Sequence, residues 1–318
     1  MAKDKSETEQ YTIGIAIKYF RQKYNISQGE LCEGLCSVTT LSRIEVGERS
    51  GDVLLLQMLL ERLGKSRNEF ELIITDTDYE LLKMRGEINQ KIRDKSVRSA
   101  HELLKVYEKI ANQEATVEKQ FITRNKAFLY ELEGGEAETV IKLLVEAISY
   151  TVPNLETKEI KDHYLGKTEL NIIIDIIHRS ISLGKMAYTK EIIVKIMKYL
   201  DLHNSIEADK ELYPKLAVMA AGIFIQEEEI EKALEICNKG LIKCKGSRKL
   251  DFQGELAAIK AGILETIYKK ENKWEQNKKE CLQYYLQAYY VYEFYEEYDK
   301  TEDLRKYLKE EYQWACTD

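Results

Sequence analysis

The sequence predicts an all-α protein in which a small N-terminal helical bundle precedes a right-handed superhelical array of helix hairpins that ends in a capping helix. Hydrophobic residues make up 44% of the 318 residues and charged residues 32%, with only two prolines and 16 glycines. This mixture favours long amphipathic helices over sheets or coil. The length suits two domains, and we expect them at residues 1–75 and 76–318, with the boundary in the polar "TDTD" segment.

The composition also limits where the protein acts and what it binds. No stretch approaches the roughly 18 apolar residues of a membrane span, and "MAKDKSETEQ" lacks the apolar core of a signal peptide, so we expect a cytoplasmic protein without membrane contact. Six cysteines form no paired C-x-x-C motif, and only four histidines are present. We therefore expect buried or idle thiols, no metal site and no cofactor.

The charge distribution allows nucleic-acid contact only near the N-terminus. The net charge is −7 for the whole chain. Over residues 1–65, nine Lys/Arg balance nine Asp/Glu, so the excess of acid lies in the rest of the chain. A neutral N-terminal segment on an acidic body is compatible with DNA contact at that segment and argues against a nonspecific nucleic-acid coat.

Apolar spacing and capping residues predict four helices in the first 65 residues. Ile13, Ile17 and Phe20 indicate a first helix over about residues 12–24. Ser27 with Glu30 forms a capping box that begins a short second helix. Further on, "VLLLQMLLERLG" provides the last helix of the bundle, with Leu55, Leu59 and Leu63 on its inner side.

The third helix carries an unusual run of small polar side chains. A tight turn over residues 34–37 leads to Ser37, which can cap a helix that buries Leu41 and Ile44 and ends at Gly47. This leaves an exposed surface made of Ser37, Val38, Thr39, Thr40 and Arg43. Two short helices joined by a sharp turn fit a helix-turn-helix, in which Arg43 can reach guanine O6 and N7 in the major groove.

The segment "ISQGELCEGLCSVTTLSRIEVGER" resembles the Xre-type helix-turn-helix of phage repressors, in the form found in the Rgg/MutR, PlcR and ComR-like regulators, the RRNPP group. The residues that match the family motif are Ser27, Gln28, Glu30, Leu31, Ile44, Glu45, Gly47 and Arg49. Cys32 replaces the usual alanine, and Gly51 stands near where a proline is common. The resemblance implies that Gln28 and Arg49 contact phosphates and that Ser37, Val38, Thr39, Thr40 and Arg43 face bases. The alternative is a plain helical bundle in which Glu45 pairs with Arg49 on a solvated face.

From about residue 79 the chain repeats amphipathic helices separated by short polar breaks. The hairpin breaks lie near Asp94, Gly134, Gly184, Glu228 and Asn272, at intervals of roughly 40 to 50 residues, which is typical of helix-pair solenoids. The segment "GEAETVIKLLVEAISYTVPN" resembles the second helix of a tetratricopeptide repeat, and Ala233 stands where such a repeat brings its two helices into contact. The segment "TEDLRKYLKEEYQWAC" is expected to form the capping helix.

The first helix of each pair in such an array lines the concave wall. Aligning the breaks places the following residues on the wall, and we call them the groove residues: Arg124, Asn125 and Phe128 in one pair; Asn171, Ile174, His178 and Ser182 in the next; then Lys215, Val218, Gly222 and Gln226. The resemblance to Rgg and PlcR-like proteins implies that this wall binds a short signalling peptide, with Asn125 and Asn171 holding its backbone. The alternatives are solvated or inter-helix asparagines, and His178 is either a satisfied imidazole or a switching group.

Two further patterns in the array leave alternatives open. Tyr285, Tyr289 and Tyr292 form one aromatic stripe, which favours a core or subunit contact over a peptide-binding platform. Cys237 and Cys244 lie seven residues apart on one helical face, which favours burial over a redox sensor.

Together these patterns predict a cytoplasmic, homodimeric transcriptional regulator that binds a double-stranded DNA operator and senses a short signalling peptide. The alternatives are a protein-docking scaffold with a DNA tether, or a regulator that responds to a non-peptide ligand. The sequence contains no phosphate-binding glycine loop, H-E-x-x-H motif or nucleophile elbow, so we expect no enzyme and no catalytic residues. The operator, the peptide and the sign of regulation are left open.

Overall fold

The computed structural model describes residues 13–49, 51–66, 76–155, 159–202 and 207–314, and these ranges contain helices but no strand. The helices are α1 (Ile13–Lys23), α2 (Gln28–Cys32), α3 (Val38–Glu45), α4 (Val53–Arg62), α5 (Asp76–Arg93), α6 (Val97–Ile110), α7 (Thr116–Leu132), α8 (Ala137–Thr151), α9 (Lys167–Ser182), α10 (Met186–Leu202), α11 (Glu207–Gln226), α12 (Ile230–Ser247), α13 (Gln253–Lys270), α14 (Trp274–Phe294) and α15 (Tyr298–Tyr312). The predicted all-α fold class is confirmed.

The chain divides into two compact units, Met1–Gly184 and Lys185–Asp318. We call them unit 1 and unit 2. We call α1–α4 the head and the remaining helices, α5–α15, the array. Unit 1 therefore contains the head together with α5–α9. The predicted domain boundary between residues 75 and 76 falls where α5 begins, directly after residues 67–75, which lie outside the described ranges, and it stays a prediction.

The head folds through the caps that its sequence predicts. The Ser27 Oγ accepts from the Glu30 amide at 3.1 Å while the Glu30 carboxylate accepts from the Ser27 amide at 2.7 Å, which starts α2. The Ser37 Oγ accepts from the Thr40 amide at 3.1 Å and starts α3. At Gly14, a Cβ atom would lie only 1.9 Å from the Ile44 carbonyl oxygen, so α1 can cross α3 this closely only because residue 14 is glycine.

The five predicted hairpin breaks are confirmed, and each contains one residue in the left-handed backbone region. These residues are Lys95, Gly134, Gly184, Glu228 and Asn272, with φ between 54° and 86°. A left-handed residue just after a helix lets the chain reverse while the last carbonyls of the helix stay hydrogen-bonded. The same local device therefore separates α5 from α6, α7 from α8, α9 from α10, α11 from α12, and α13 from α14.

Within each unit the helices of the array pack mainly on their neighbours in sequence. In unit 1, α5 contacts α6, α6 contacts α7, α7 contacts α8, and α8 contacts α9. In unit 2, contacts run in the same way from α10 to α15. This pattern is typical of solenoids, in which each repeat buries its apolar face against the next repeat.

The predicted aromatic stripe belongs to the core of unit 2. Tyr285, Tyr289 and Tyr292 on α14 are all buried. The carboxylate of Glu265 on α13 accepts from the hydroxyls of Tyr285 at 3.2 Å, Tyr307 at 2.7 Å and Tyr312 at 3.1 Å, and it also pairs with Lys269. We call this group the Glu265 cluster. It ties α13 and α14 to the capping helix α15.

Candidate DNA-reading surface and groove residues

The head presents one polar surface to solvent, on the side of α3 that faces away from the core. Leu41 and Ile44 are buried, as predicted. Ser37, Val38, Thr39 and Arg43 are exposed, and Thr40 is half-buried. We call these five residues the reading surface. Small side chains on a short exposed helix allow its backbone to approach base edges and phosphates closely.

Two members of the reading surface are hydrogen-bonded to each other. The hydroxyls of Ser37 and Thr40 lie 2.9 Å apart and share a hydrogen bond, and Ser37 also caps α3. Among the described residues, the exposed side chains of Val38, Thr39 and Arg43 make no such local hydrogen bond, and their contact with DNA stays a prediction. Arg49, which the resemblance assigns to phosphate contact, is also exposed.

Glu45 has a different role from the solvated pair with Arg49 that a plain bundle would predict. Its carboxylate is buried and accepts from Arg21 Nε at 2.6 Å and Arg21 Nη2 at 2.8 Å. It also accepts from Gln28 Nε2 at 2.8 Å. Glu45 thus ties α1, α2 and α3 together. The amide nitrogen of Gln28 has a second N–H that this bond does not use, so a phosphate contact through that N–H stays a prediction.

The predicted groove residues of unit 1 lie on α7 and α9, where side chains bridge the two helices. Arg124 Nη2 lies 2.8 Å from Asp175 Oδ2. Arg179 pairs with Glu131, with Nε and Oε1 2.9 Å apart. The ring of Phe128 lies close to both guanidinium groups, whose carbons are 5.1 Å (Arg124) and 5.4 Å (Arg179) from its centroid. This arrangement gives α7 and α9 a shared surface with an aromatic centre and charged edges.

Other predicted groove residues of unit 1 differ in how much of them solvent can reach. His178 and Ser182 are exposed, and Asn171 is half-buried with its side-chain amide donating to the Lys167 carbonyl at 3.0 Å. In contrast, Asn125 is 1% exposed and Ile174 is 0% exposed. Any peptide contact by these last two side chains would require the surrounding helices to open.

Asn125 is also only partly satisfied. Its Nδ2 donates to the Phe121 carbonyl at 2.8 Å, but its buried Oδ1 has no hydrogen-bond partner among the residues that the structure describes. An unmade hydrogen bond at a buried acceptor costs about 1–3 kcal/mol. A donor that reached Oδ1 would therefore gain free energy at this position.

The predicted groove residues of unit 2 lie along α11. Lys215, Val218 and Gly222 are half-buried and Gln226 is exposed. Among the described residues, and leaving aside the adjoining backbone of α11 itself, no atom lies within 4 Å of the position that a Cβ atom of Gly222 would occupy. The surface of α11 therefore has open space at this glycine.

Sequence reasoning missed Asp175, Arg179 and Glu131, which organise the surface around Phe128. The available signal was the i,i+4 spacing of Asp175 and Arg179 on α9, opposite Arg124 and Phe128 at the same spacing on α7. Without knowledge of which helix faces pack together, that spacing could equally indicate a solvated surface.

The described ranges could also carry a metal site, a membrane-spanning helix or a reactive thiol. They contain no group of three or more His, Cys, Asp or Glu side chains arranged to hold a metal ion. No helix in them is both long and apolar enough to cross a bilayer. Cys32, Cys36, Cys237, Cys244 and Cys281 are free thiols, and burial raises the pKa of both Cys36 and Cys237 to about 12. Protonated thiols react slowly with oxidants.

Comparisons with known proteins agree with this description. Residues 17–70 match the helix-turn-helix family model. The fold is similar to that of Bacillus thuringiensis PlcR in complex with the peptide PapR7 and DNA, at 18% identity and a TM-score of 0.55, over 92% of this chain and 98% of that chain. The apo form of PlcR gives 16% identity and a TM-score of 0.56, over 92% and 97% of the two chains.

The competence regulator ComR from Streptococcus vestibularis, in its apo form, gives 20% identity and a TM-score of 0.45, over 93% of this chain and 96% of that chain. A search of curated protein sequences gives no match. The resemblance to the Xre-type helix-turn-helix is confirmed, and the resemblance to PlcR is confirmed at the level of the fold. The family matched by residues 17–70, the helix-turn-helix, is a DNA-binding class and not an enzyme class.

Proposed function

We propose, on the premise that residues 17–70 match the helix-turn-helix family model, that this chain is a cytoplasmic regulator that reads double-stranded DNA with α3 and responds to a short peptide bound by the array. The observation that carries the DNA part is the reading surface, where Val38, Thr39 and Arg43 are exposed above a buried apolar side. A recognition helix of this kind places its first residues against base edges in the major groove.

Each exposed residue has a defined role in this proposal. Arg43 donates two hydrogen bonds to a guanine, Thr39 and Val38 contact a neighbouring base, and Arg49 pairs with a phosphate. We further propose a homodimer, because two heads can then bind half-sites about one DNA turn apart. Sedimentation of the full chain measures the dimer directly, and a monomer on selected DNA would contradict it.

The DNA step is tested with the full chain and DNA sites selected from a random pool. We expect Arg43→Ala to weaken binding to the selected site by about 10- to 100-fold and to relax preference at one base pair. Arg98→Ala is the matched control, because Arg98 is exposed on α6, in the same unit, and lies outside the reading surface. Undiminished affinity and preference in the Arg43 variant would reject the proposed reading surface.

The role of Arg49 is separable from that of Arg43 by salt dependence. A phosphate contact contributes to affinity for every DNA sequence, so Arg49→Ala should weaken specific and nonspecific binding alike. It should also reduce the slope of log affinity against log salt by about one. An unchanged slope would remove Arg49 from the interface.

The peptide part rests on the surface that α7 and α9 share. A peptide backbone offers donors and acceptors to Asn171, and its carboxylates and aromatic side chains suit Arg124, Arg179 and Phe128. PlcR, whose fold is similar, is described in complex with a peptide. In this proposal a peptide along the array changes which state of the head binds DNA.

The peptide step is tested by panning the full chain against a library of random short peptides. We expect Phe128→Ala to lower the affinity for selected peptides by about ten-fold or more. Tyr188→Ala is the control, because Tyr188 is an exposed aromatic residue outside the predicted groove. Failure to select any peptide, or equal affinity in both variants, would favour a non-peptide ligand or a protein-docking role.

A further inference from the structure

The last turn of α4 joins the head to the array through one buried arginine. Arg62 Nη1 donates to the carbonyls of Leu31 at 2.9 Å and Glu33 at 2.7 Å, at the end of α2. Its Nη2 donates to the Thr151 carbonyl at 2.8 Å and to Glu169 Oε1 at 2.6 Å, and its Nε donates to Glu169 Oε2 at 3.2 Å. We call these five residues the Arg62 cluster. One side chain thus contacts α2, α8 and α9.

The neighbouring residue binds the same end of α9. Glu61 Oε2 accepts from the Thr168 amide at 2.7 Å, and Glu61 Oε1 lies 3.2 Å from the Thr168 hydroxyl. Glu169 itself accepts from the Gly166 amide at 2.8 Å. The otherwise unpaired amides at the start of α9 are therefore bonded partly to α4. The first turn of α9 cannot shift without moving α4 or breaking these bonds.

The turn of the helix-turn-helix also contacts the array directly. The Thr116 hydroxyl, at the start of α7, lies 2.7 Å from the Gly34 carbonyl oxygen and 3.2 Å from that of Leu35. Gly34 has a φ of +76°, and a Cβ atom there would lie 2.2 Å from the Thr151 carbonyl oxygen. The turn that sets the angle between α2 and α3 is thus packed against the ends of α7 and α8.

From these contacts we propose that Arg62 is a positioning residue that couples the position of α9 to the orientation of the reading surface. The proposal deepens the function proposed above and rests on it. Asn171, His178 and Ser182 lie on α9 within thirteen residues of Glu169, on one continuous helix. An α-helix rises about 1.5 Å per residue and moves as a stiff rod over such short lengths. A ligand that displaces α9 at these residues therefore displaces Glu169 as well.

The buried charges make coupled movement the favoured response. Arg62 and Glu169 are 5% and 0% exposed. Separating them would leave both charges buried and unpaired, which is strongly unfavourable. When α9 moves, Arg62 therefore moves with Glu169. Its hydrogen bonds pull the carbonyls of Leu31 and Glu33 in the same direction, and α3 reorients together with α2. The ligand acts on the head through this pair without touching it.

Hydrogen exchange of the full chain, measured by mass spectrometry without any ligand, tests the coupling. Glu169→Gln should increase exchange at the start of α9 and, several-fold, in residues 28–36 of the head. Glu131→Gln is the matched control, because Glu131 makes its ion pair with the opposite end of α9 and has the same charge change. Increased exchange confined to α9 in the Glu169 variant would overturn the proposal.

A milder variant keeps the proposal testable if Glu169→Gln fails to fold. Arg62→Lys keeps a positive charge beside Glu169 but cannot reach both carbonyls of the head at once. We expect faster exchange in residues 28–36 with an unchanged start of α9. Unchanged exchange in the head of this variant would equally overturn the proposal.

DNA binding separates this proposal from the proposed function. On DNA selected from a random pool, Arg62→Lys should lower affinity by about ten-fold while keeping the base preference, because Arg62 contacts no base. A changed base preference would overturn its positioning role. If Arg43→Ala has no effect on DNA binding but Glu169→Gln still loosens the head, the coupling stands and the DNA-reading function fails.

Discussion

Units 1 and 2 both bury a glutamate among hydrogen-bond donors, but the donors come from different distances along the chain. Glu169 is bonded to Arg62, 107 residues earlier in the sequence. Glu265 is bonded to tyrosines and a lysine that lie within 47 residues of it. The Arg62 cluster joins the head to α8 and α9, whereas the Glu265 cluster joins α13 and α14 to the capping helix α15.

The comparison shows that similar buried chemistry can serve two purposes. The Glu265 cluster joins one carboxylate of α13 to three hydroxyls on α14 and α15. The Arg62 cluster satisfies backbone carbonyls of the turn that positions α3. Loss of the Arg62 cluster should therefore change the position of the head against α8 and α9 and also lower the unfolding free energy of unit 1.

The largest effect is expected from Arg62→Met. It removes five hydrogen bonds and leaves the Glu169 charge buried without its partner, so unit 1 should lose about 3–5 kcal/mol of unfolding free energy. Urea unfolding followed by far-UV circular dichroism measures this loss. Both tryptophans, Trp274 and Trp314, lie in unit 2, so the fluorescence transition should stay nearly unchanged. Parallel shifts of both signals would contradict a role confined to unit 1.

A somewhat smaller loss is expected from Gly34→Ala. The alanine adopts a left-handed backbone and its Cβ meets the Thr151 carbonyl, so unit 1 should lose about 2 kcal/mol. Gly134→Ala is the control, because φ is also positive there and, apart from its chain neighbours, no described atom lies within 4 Å of the added Cβ. The difference between the two losses measures the close contact of the turn with α8, and equal losses would show that only backbone strain matters.

A smaller and pH-dependent loss is expected from Glu265→Gln. Burial opposes the ionisation of Glu265, but hydrogen bonds from Lys269, Tyr307 and Tyr312 outweigh burial and lower its pKa below the ordinary 4.5. Its stabilisation is therefore complete above pH 4.5 and is lost as the pH falls through the lowered pKa. Glu265→Gln should cost unit 2 about 1–2 kcal/mol at pH 7 and less in acid. The fluorescence-detected urea midpoint measures both, and a pH-independent loss would contradict the assigned charge.

Unit 1 should respond to acid with the opposite sign. Burial raises the pKa of Glu61 and of Glu118 above the ordinary 4.5. A carboxyl group whose pKa is higher in the folded state binds protons more readily there. Lowering the pH through the raised pKa values toward 4.5 therefore adds stability through these two groups, whereas Glu265 contributes no gain in that range. Replacing Glu118 by Gln should flatten this part of the circular-dichroism profile.

The smallest effect is expected from Arg98→Ala. Its i,i+4 ion pair with Glu102 is almost fully solvated, with side chains 93% and 66% exposed. Such pairs contribute about 0.5 kcal/mol or less, and salt screens them. Circular-dichroism unfolding should place this variant within that range of the unmodified protein. A loss above about 1 kcal/mol would contradict the small contribution expected of this solvated pair.

Local signals in the sequence predicted most of the fold. The capping box at Ser27 and Glu30, the cap at Ser37 and the hairpin breaks each depend on residues only a few positions apart, so the pattern is legible without a structure. The reading surface follows in the same way, because Leu41 and Ile44 fix which side of α3 is buried.

Long-range partners could not be predicted in this way. Nothing near Arg62 in the sequence indicates that its partner is Glu169, and nothing near Glu45 indicates Arg21. The groove prediction is limited by a related ambiguity. Helices in an array pack against two neighbours, so more than one side of α7 and α9 is buried, and spacing alone placed Asn125 and Ile174 on the same wall as the exposed His178.

Substitutions in the hairpin turns can adjust the melting temperature of the array. Three of them hold a side chain in the left-handed region, at Lys95, Glu228 and Asn272, where glycine would sit without strain. Relieving one such turn gains at most about 1 kcal/mol, because glycine also loosens the unfolded chain. A family of variants with graded melting temperatures could thus be made from loop positions alone, leaving α3, Arg62 and the surface around Phe128 untouched.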